Sequence, residues 1–406
     1  MAQTLKFGNG TWATKKGSTL AYNDEDGNYK PLPFAYTGAG KGTRVNKQGL
    51  IEVVENDRPR IDYTDSEDGA LLLEPSRTNL ITYSSDLSVL SKVSVGIASV
   101  PLTTSNYGIA PDGTMTATRV VFNLNGGTTN QDRSILRQSI STGDYYLSIY
   151  VKSTNGTEQK VMWHDGSEFN TTTVTNEWIR ITYDSRSGVS WGGIALNGTS
   201  GVDSSDILVW GFQVEVGNVS SYIPTQGSIQ TRVQETASGS GNSEVFNDSS
   251  GVLFADIAAN ANDGIKRSIS INDGSSANRF ILRFGVNDNT IEFVSSSNNS
   301  AVLLSSVVVA GGLSSIKVAA KWDSNNYVFY VNGIIETTKN DLITPLVLNN
   351  LDFNDGNNNF NPFYGKTKEL GCYDTALTNA ELETLTSYRT WLSMVNELNL
   401  NVIYNG

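Results

Sequence analysis

Residues 144–152 read DYYLSIYVK, and apolar side chains fall on every second position. Leu147, Ile149 and Val151 share one side of an extended chain, and Tyr146, Ser148 and Tyr150 share the other. That is the period of a half-buried β-strand, whose successive side chains point to opposite faces. Residues 177–183 repeat it, with Ile179, Ile181 and Tyr183 opposed to Trp178, Arg180 and Thr182. Residues 206–216 and 120–124 are two further runs, and turn clusters such as Asn125-Gly126-Gly127 and residues 153–157 separate them. Short strands divided by turns, with no helical period between them, predict a β-sandwich or jelly roll.

Composition agrees. Only 17% of the 406 residues are charged and 38 are Gly, so the surface must be polar through Ser, Thr, Asn and Gly. Those residues favour turns over helices. The net charge of −12, with no basic tract, argues against nucleic acid and anionic membrane as partners. No run approaches the ~18 consecutive apolar residues of a membrane span. The N-terminus, MAQTLKFGNG, has no apolar core of a secretory signal. A single cysteine, Cys372, allows no internal disulfide, and it is expected as a buried structural thiol.

In chain order, residues 1–78 read as an extended leader of β-hairpins. Asn9-Gly10 and residues 24–28 mark turns, and a further hairpin turns near residues 47–49. Residues 38–42 (GAGKG) resemble a phosphate loop only superficially, because Gly42 rather than Ser or Thr follows Lys41. Residues 79–234 form a first sandwich. The stretch 235–242, rich in Gly and Ser, reads as a flexible linker. Residues 243–377 form a second sandwich, in which Asn332-Gly333 between apolar runs is a strong hairpin signal. Residues 378–398 predict one helix: Thr378 and Glu381 make a capping box, and Leu382, Leu385, Tyr388, Leu392, Val395 and Leu398 form an apolar stripe. A tail to residue 406 follows. The expected fold is thus all-β: two tandem jelly-roll sandwiches after a hairpin leader, with one C-terminal α-helix.

The stretch LLLEPSRTNLITYSSDLS, residues 71–88, resembles a signature that recurs in phage virion proteins of the tail-fibre, tailspike and head-fibre type. The leader segments RVNKQGLIE and PRIDY resemble the region preceding that signature. WGFQVE at 210–215 and SYIPT at 221–225 resemble its closing motif. The resemblance implies a carbohydrate-binding-like jelly roll over 79–234, attachment to other virion proteins through residues 1–78, and self-association, commonly as a homotrimer. In the second sandwich, Lys321-Trp322-Asp323, Tyr330-Val331-Asn332-Gly333 and residues 370–378 resemble the core and closing motifs of laminin-G and concanavalin-like jelly rolls.

Sugar binding calls for exposed aromatic faces beside planar polar groups. Trp163-His164-Asp165 and Trp191-Gly192-Gly193 lie beside turns, so Trp163, His164, Asp165 and Trp191 are the candidates for lining a glycan groove; packing at a sandwich edge is the competing reading. Trp178, Trp210 and Trp322 lie on strands and are expected in cores. No motif nominates a pair of carboxylates for glycoside hydrolysis, and no catalytic residue is assigned. No cofactor is expected. Laminin-G-like domains can hold calcium through acidic loops, which here would mean Asp352, Asp355 and residues 357–359, or Asp263 or Asp273.

Three readings stay open. The first is a non-enzymatic fibre or spike subunit of a tailed-phage virion that contacts host surface polysaccharide. The second is a purely architectural decoration or adaptor protein. The third is a tailspike-like polysaccharide depolymerase. Synthesis in the host cytoplasm followed by assembly onto the particle fits a chain lacking a signal and disulfides.

Overall fold

The computed structural model describes residues 5–23, 28–38, 40–164, 170–309, 315–324, 326–340, 347–357, 359–388 and 390–397. The chain is almost entirely β and divides into two compact units. One unit takes Met1–Ala39, Asn56–Pro75 and Gln234–Gly406; the other takes Gly40–Glu55 and Ser76–Val233.

The first unit is a sandwich of a twelve-stranded and a five-stranded sheet. In the larger sheet, Gly365–Tyr373 is hydrogen-bonded to Leu5–Gly8, to Ala70–Leu73 and to Gly251–Ala259. Strands Ser18–Asn23, Lys30–Thr37 and Thr236–Ser238 extend it on one side, and Ile316–Trp322, Tyr327–Val331 and Ile334–Lys339 on the other. The smaller sheet runs Ser300–Val308, Thr290–Ser297, Arg279–Phe284, Arg267–Asn272, Asn350–Asp352. Between them lies one core that includes Phe7, Phe34, Leu71, Phe254's neighbour Leu253, Phe280, Phe293, Trp322 and Cys372. Burial pushes the Cys372 thiol far up its scale, as expected of an inert structural cysteine.

Residues 1–78 are therefore not one separate leader. Leu5 and Phe7 alternate into this core because the strand Leu5–Gly8 has period two, and the Asn9-Gly10 turn, with both residues at positive φ, returns the chain along it. Nor is 235–242 a free linker. Thr236–Ser238 is an edge strand, Ala237 is buried, and the Ser240 Oγ donates to the Leu32 carbonyl at 2.7 Å. Its small residues serve close approach: a Cβ on Gly241 would meet the Phe246 ring at 2.4 Å.

The second unit is built on an eight-stranded sheet. The long strands Arg133–Ser153 and Ile179–Asn197 pair antiparallel through register shifts near Gly143. Leu147, Ile149 and Val151 point into the main core, as their alternation requires. On the opposite face, Trp210, Leu208 and Tyr222 pack with Ile51 from the hairpin of Thr43–Val45 and Ile51–Val53.

The C-terminal stripe gives two short helices, Asn379–Thr386 and Trp391–Glu397. The Thr378–Glu381 capping box is present. The break follows from hydroxyls that bond back onto the helix, Thr386 Oγ1 to the Leu382 carbonyl at 2.8 Å and Ser387 Oγ to the Glu383 carbonyl at 2.6 Å. Thr390 Oγ1 then accepts from the Ser393 N–H and caps the second helix. Leu398 lies outside the described residues.

Candidate functional site

The aromatic candidates of the second unit come together, but facing inward. Trp163 lies on Gln159–His164, is 2% exposed, belongs to the main core and stacks on Tyr183 at 6.1 Å. His164 is equally buried and lies parallel to the Trp191 ring at 6.0 Å. The Arg137 guanidinium sits 4.0 Å from the centroid of that indole. Trp191, half-buried, is therefore packed against protein groups rather than laid open for a sugar. Asp165 lies outside the described residues. Trp210 and Trp322 are core residues as expected, and Trp178 packs partly against the cluster of Leu208, Trp210 and Tyr222.

A cleft of about 280 Å³ opens instead in the first unit, lined by Thr236, Ser238, Gly274, Asp352, Asn354, Gly356 and Asn359. It forms where the outermost strands of the two sheets meet. Leu351 and Ser240 exchange backbone hydrogen bonds of 2.7 and 3.2 Å, and the Phe353 N–H donates to the Ala237 carbonyl at 3.0 Å. This pairing fixes Thr236 and Ser238 on one wall against Asp352 and Asn354 on the other.

Asn272 organises the floor. Its Nδ2 donates to Asp352 Oδ2 at 2.8 Å and to Ser270 Oγ at 2.9 Å, while its Oδ1 accepts from the Gly274 N–H. The Gly239 N–H donates to Asp352 Oδ1 at 2.6 Å. Each Asp352 oxygen thus holds one donor and retains a lone pair for another. Asn354 Oδ1 accepts from the Gly356 N–H at 2.7 Å, a side-chain-mimicked turn. Gly356 sits at φ +80°, and a Cβ there would strike the Asn272 side chain at 2.6 Å; only glycine keeps both the turn and the cleft. Asn359 follows at φ +60°, and Phe360 beside it is 63% exposed.

The sequence nominated Asp352, Asp355 and residues 357–359 of this region as calcium ligands, and residue 358 lies outside the described residues. Asp355 is buried beneath the loop, where the Arg279 guanidinium pairs with it at 3.3 Å and Asn361 Nδ2 donates to it at 3.1 Å. Burial pushes the Asp263 and Asp273 carboxyls up, but stronger opposing contacts leave both below their ordinary values: Arg267 for Asp263, Ser275 and Asn278 for Asp273. Among the described residues no three carboxylate, imidazole or thiolate groups converge as a metal site. Thr236, Ser238, Gly274, Asn354 and Gly356 were not singled out. The Asn-Asp-Gly turn at 354–356 was the available signal, but Thr236 and Ser238 lie more than a hundred residues from it.

Residues 257–383 match the family model described as the concanavalin A-like lectin/glucanases superfamily. All of that stretch lies in the first unit. No curated protein matches the chain. Among solved structures, the chain is similar to the CBM40 module of the Ruminococcus gnavus IT-sialidase, at 17% identity and a TM-score of 0.31, covering 37% of this chain and 94% of that one. It is also similar to domain 4 of AbnA, an extracellular arabinanase from Geobacillus stearothermophilus in complex with arabinotriose, at 15% identity and a TM-score of 0.30, covering 42% of this chain and 82% of that one. A third is the Bacillus licheniformis β-glucanase, at 16% identity and a TM-score of 0.25, covering 39% and 65%.

Proposed function

We propose that the chain is a glycan-binding structural protein of a tailed-phage virion, a tail- or head-fibre or spike subunit that contacts host surface polysaccharide without cleaving it. The observation that carries the glycan-binding part is the cleft between the two edge strands of the first unit. Its lining is Thr, Ser, Asn, Asp and Gly, the groups that exchange hydrogen bonds with sugar hydroxyls. The match of residues 257–383 to the concanavalin A-like lectin/glucanases superfamily supports the same reading. Asp352 is the one carboxylate among the lining residues, which favours binding over two-carboxylate hydrolysis.

The virion part rests on the resemblance of the LLLEPSRTNL and SYIPT stretches to phage fibre and spike proteins. With it come attachment to other virion proteins through the N-terminal segment and association as a homotrimer. Glycan-array binding of the purified chain tests the first part, and light scattering tests the second, with a mass of roughly three times 43.9 kDa expected. A monomer that binds no glycan would replace this reading with an architectural one, and release of reducing ends from host polysaccharide would replace it with a depolymerase.

A further inference from the structure

We infer that the cleft takes an uncharged hexose unit, held through its hydroxyls by Asp352, Asn354 and Asn359, and that Phe360 covers the apolar face of the adjoining sugar. This deepens the glycan-binding reading and rests on it. Among the seven lining residues there is one carboxylate and no Lys or Arg. Arg279, which lies opposite Asn272 on the neighbouring strand, is committed to Asp355: its Nη1 donates to the Asp355 carbonyl at 2.6 Å and pairs with the carboxylate. A sialic or uronic acid would bring its carboxylate against Asp352 with no Lys or Arg among the lining residues to receive it, and an unpaired charge of that kind is not held out of water.

Hydroxyls meet the opposite situation. A sugar hydroxyl donates once and accepts twice, so it needs acceptors and donors side by side. Asp352 supplies two oxygens with lone pairs left over, beyond the hydrogen bonds from Gly239 and Asn272. Asn354 uses its Oδ1 on Gly356 and turns its Nδ2 donors to no other described residue. The volume, about 280 Å³, suits one ring rather than a long enclosed chain. Phe360 follows Asn359 directly, and the loop is closed beneath it by the Phe360 N–H to Asn357 carbonyl bond at 2.8 Å and the Asp355 N–H to Phe360 carbonyl bond at 3.1 Å. A large aromatic ring 63% exposed on so short a loop is what C–H stacking on a second unit requires.

The test is isothermal titration of the full chain with maltotriose, cellotriose and galactotriose, and with sialyllactose and trigalacturonate as anionic probes. At least one neutral trisaccharide should bind, and both anionic probes should bind at least tenfold more weakly. D352N should weaken the neutral ligand tenfold or more. Because Asp352 is buried, F360A serves beside it: the exposed ring can go without a shift in melting temperature, and affinity should again fall about tenfold. Preference for an anionic probe overturns the inference and leaves glycan binding standing. Neutral binding unchanged in both variants does the same, since it places the sugar elsewhere. No binding to any probe overturns both this inference and the reading beneath it.

Discussion

Arg60 and Glu74, from the PRIDY and LLLEP stretches, meet in the interior of the first unit. The Arg60 guanidinium, 1% exposed, donates to Glu74 Oε2 at 2.8 Å and to Glu235, whose Oε1 accepts at 2.7 Å. The Tyr36 hydroxyl also donates to Glu235 Oε1 at 2.7 Å, and burial with the Glu235 charge drives its ionisation far up. Such a cluster stands only while all its charges are present: removing one partner of a buried pair costs about 3–5 kcal/mol. R60A should therefore lower the urea midpoint of the first unit by a matching amount, and an unchanged midpoint would show that the two carboxylates find another partner.

Glu215 makes the reverse case in the second unit. Burial pushes its carboxyl above the ordinary 4.5, against hydrogen bonds from Ser220 and Gln213. A raised folded value contributes stability that is fully present below the ordinary value and is lost as pH rises through the folded one. In E215Q that titration is gone. The wild type should thus lose ground to E215Q as pH is raised from 4.5 towards neutrality. Urea midpoints of both proteins across that range read it, and a gap that stays constant with pH refutes it. The stretches could be recognised as strings, but nothing local to either glutamate shows that one is neutralised by an arginine and the other is strained by burial. For Glu74 the deciding partners lie 14 and 161 positions away.

Among the elements, Ser204–Glu215 shows why a sequence pattern gives a strand without giving its faces. Simple alternation would send Val209 and Phe212 to opposite sides. Both lie in the main core, and Trp210 lies on the other face. The phase changes at Gly211, where the register with the neighbouring strand shifts between Ser148 and Tyr150 and φ is +67°. This is a β-bulge, and the glycine of WGFQVE is what it requires. G211A adds a Cβ 3.0 Å from the Tyr150 ring in a conformation that L residues avoid, so it should cost at least about 1 kcal/mol. Thermal unfolding of the variant decides it; wild-type stability would mean that the bulge relaxes at no cost. The turn at Asn9-Gly10 and the hairpin at Asn332-Gly333 were legible because a two-residue turn is specified by the two residues themselves. The bulge was not, because it is specified by a partner strand.

For the whole molecule, the informative fact is that the chain passes between its two units more than once, so neither unit is a continuous segment. The boundaries that composition suggests, 79–234 and 243–377, follow the Gly/Ser-rich stretch and the change of motifs. The eight-stranded sheet stays within 79–234, but pairing in the twelve-stranded sheet crosses the limits of 243–377. Gly365–Tyr373 is flanked by Leu5–Gly8, Ala70–Leu73 and Gly251–Ala259, and an alternating strand carries no mark of which distant strand will lie beside it. Leu5, Phe7, Phe34, Tyr36, Ile61, Leu71 and Leu73 all enter the same core as Phe280 and Trp322. Fully burying side chains of this kind contributes about 1.5–3 kcal/mol each. Together they are comparable with the about 5–15 kcal/mol that holds a whole domain folded. A fragment of residues 243–377 would lose all of them and expose an unpaired strand edge. It should show no cooperative thermal transition and poorly dispersed amide resonances, whereas the full chain should show both a transition and dispersion. Restoring residues 1–75 in the same chain, by joining them through a designed loop to residue 234 onwards, should recover the transition. A fragment 243–377 that folds alone would mean that the N-terminal strands decorate a finished sandwich rather than complete it.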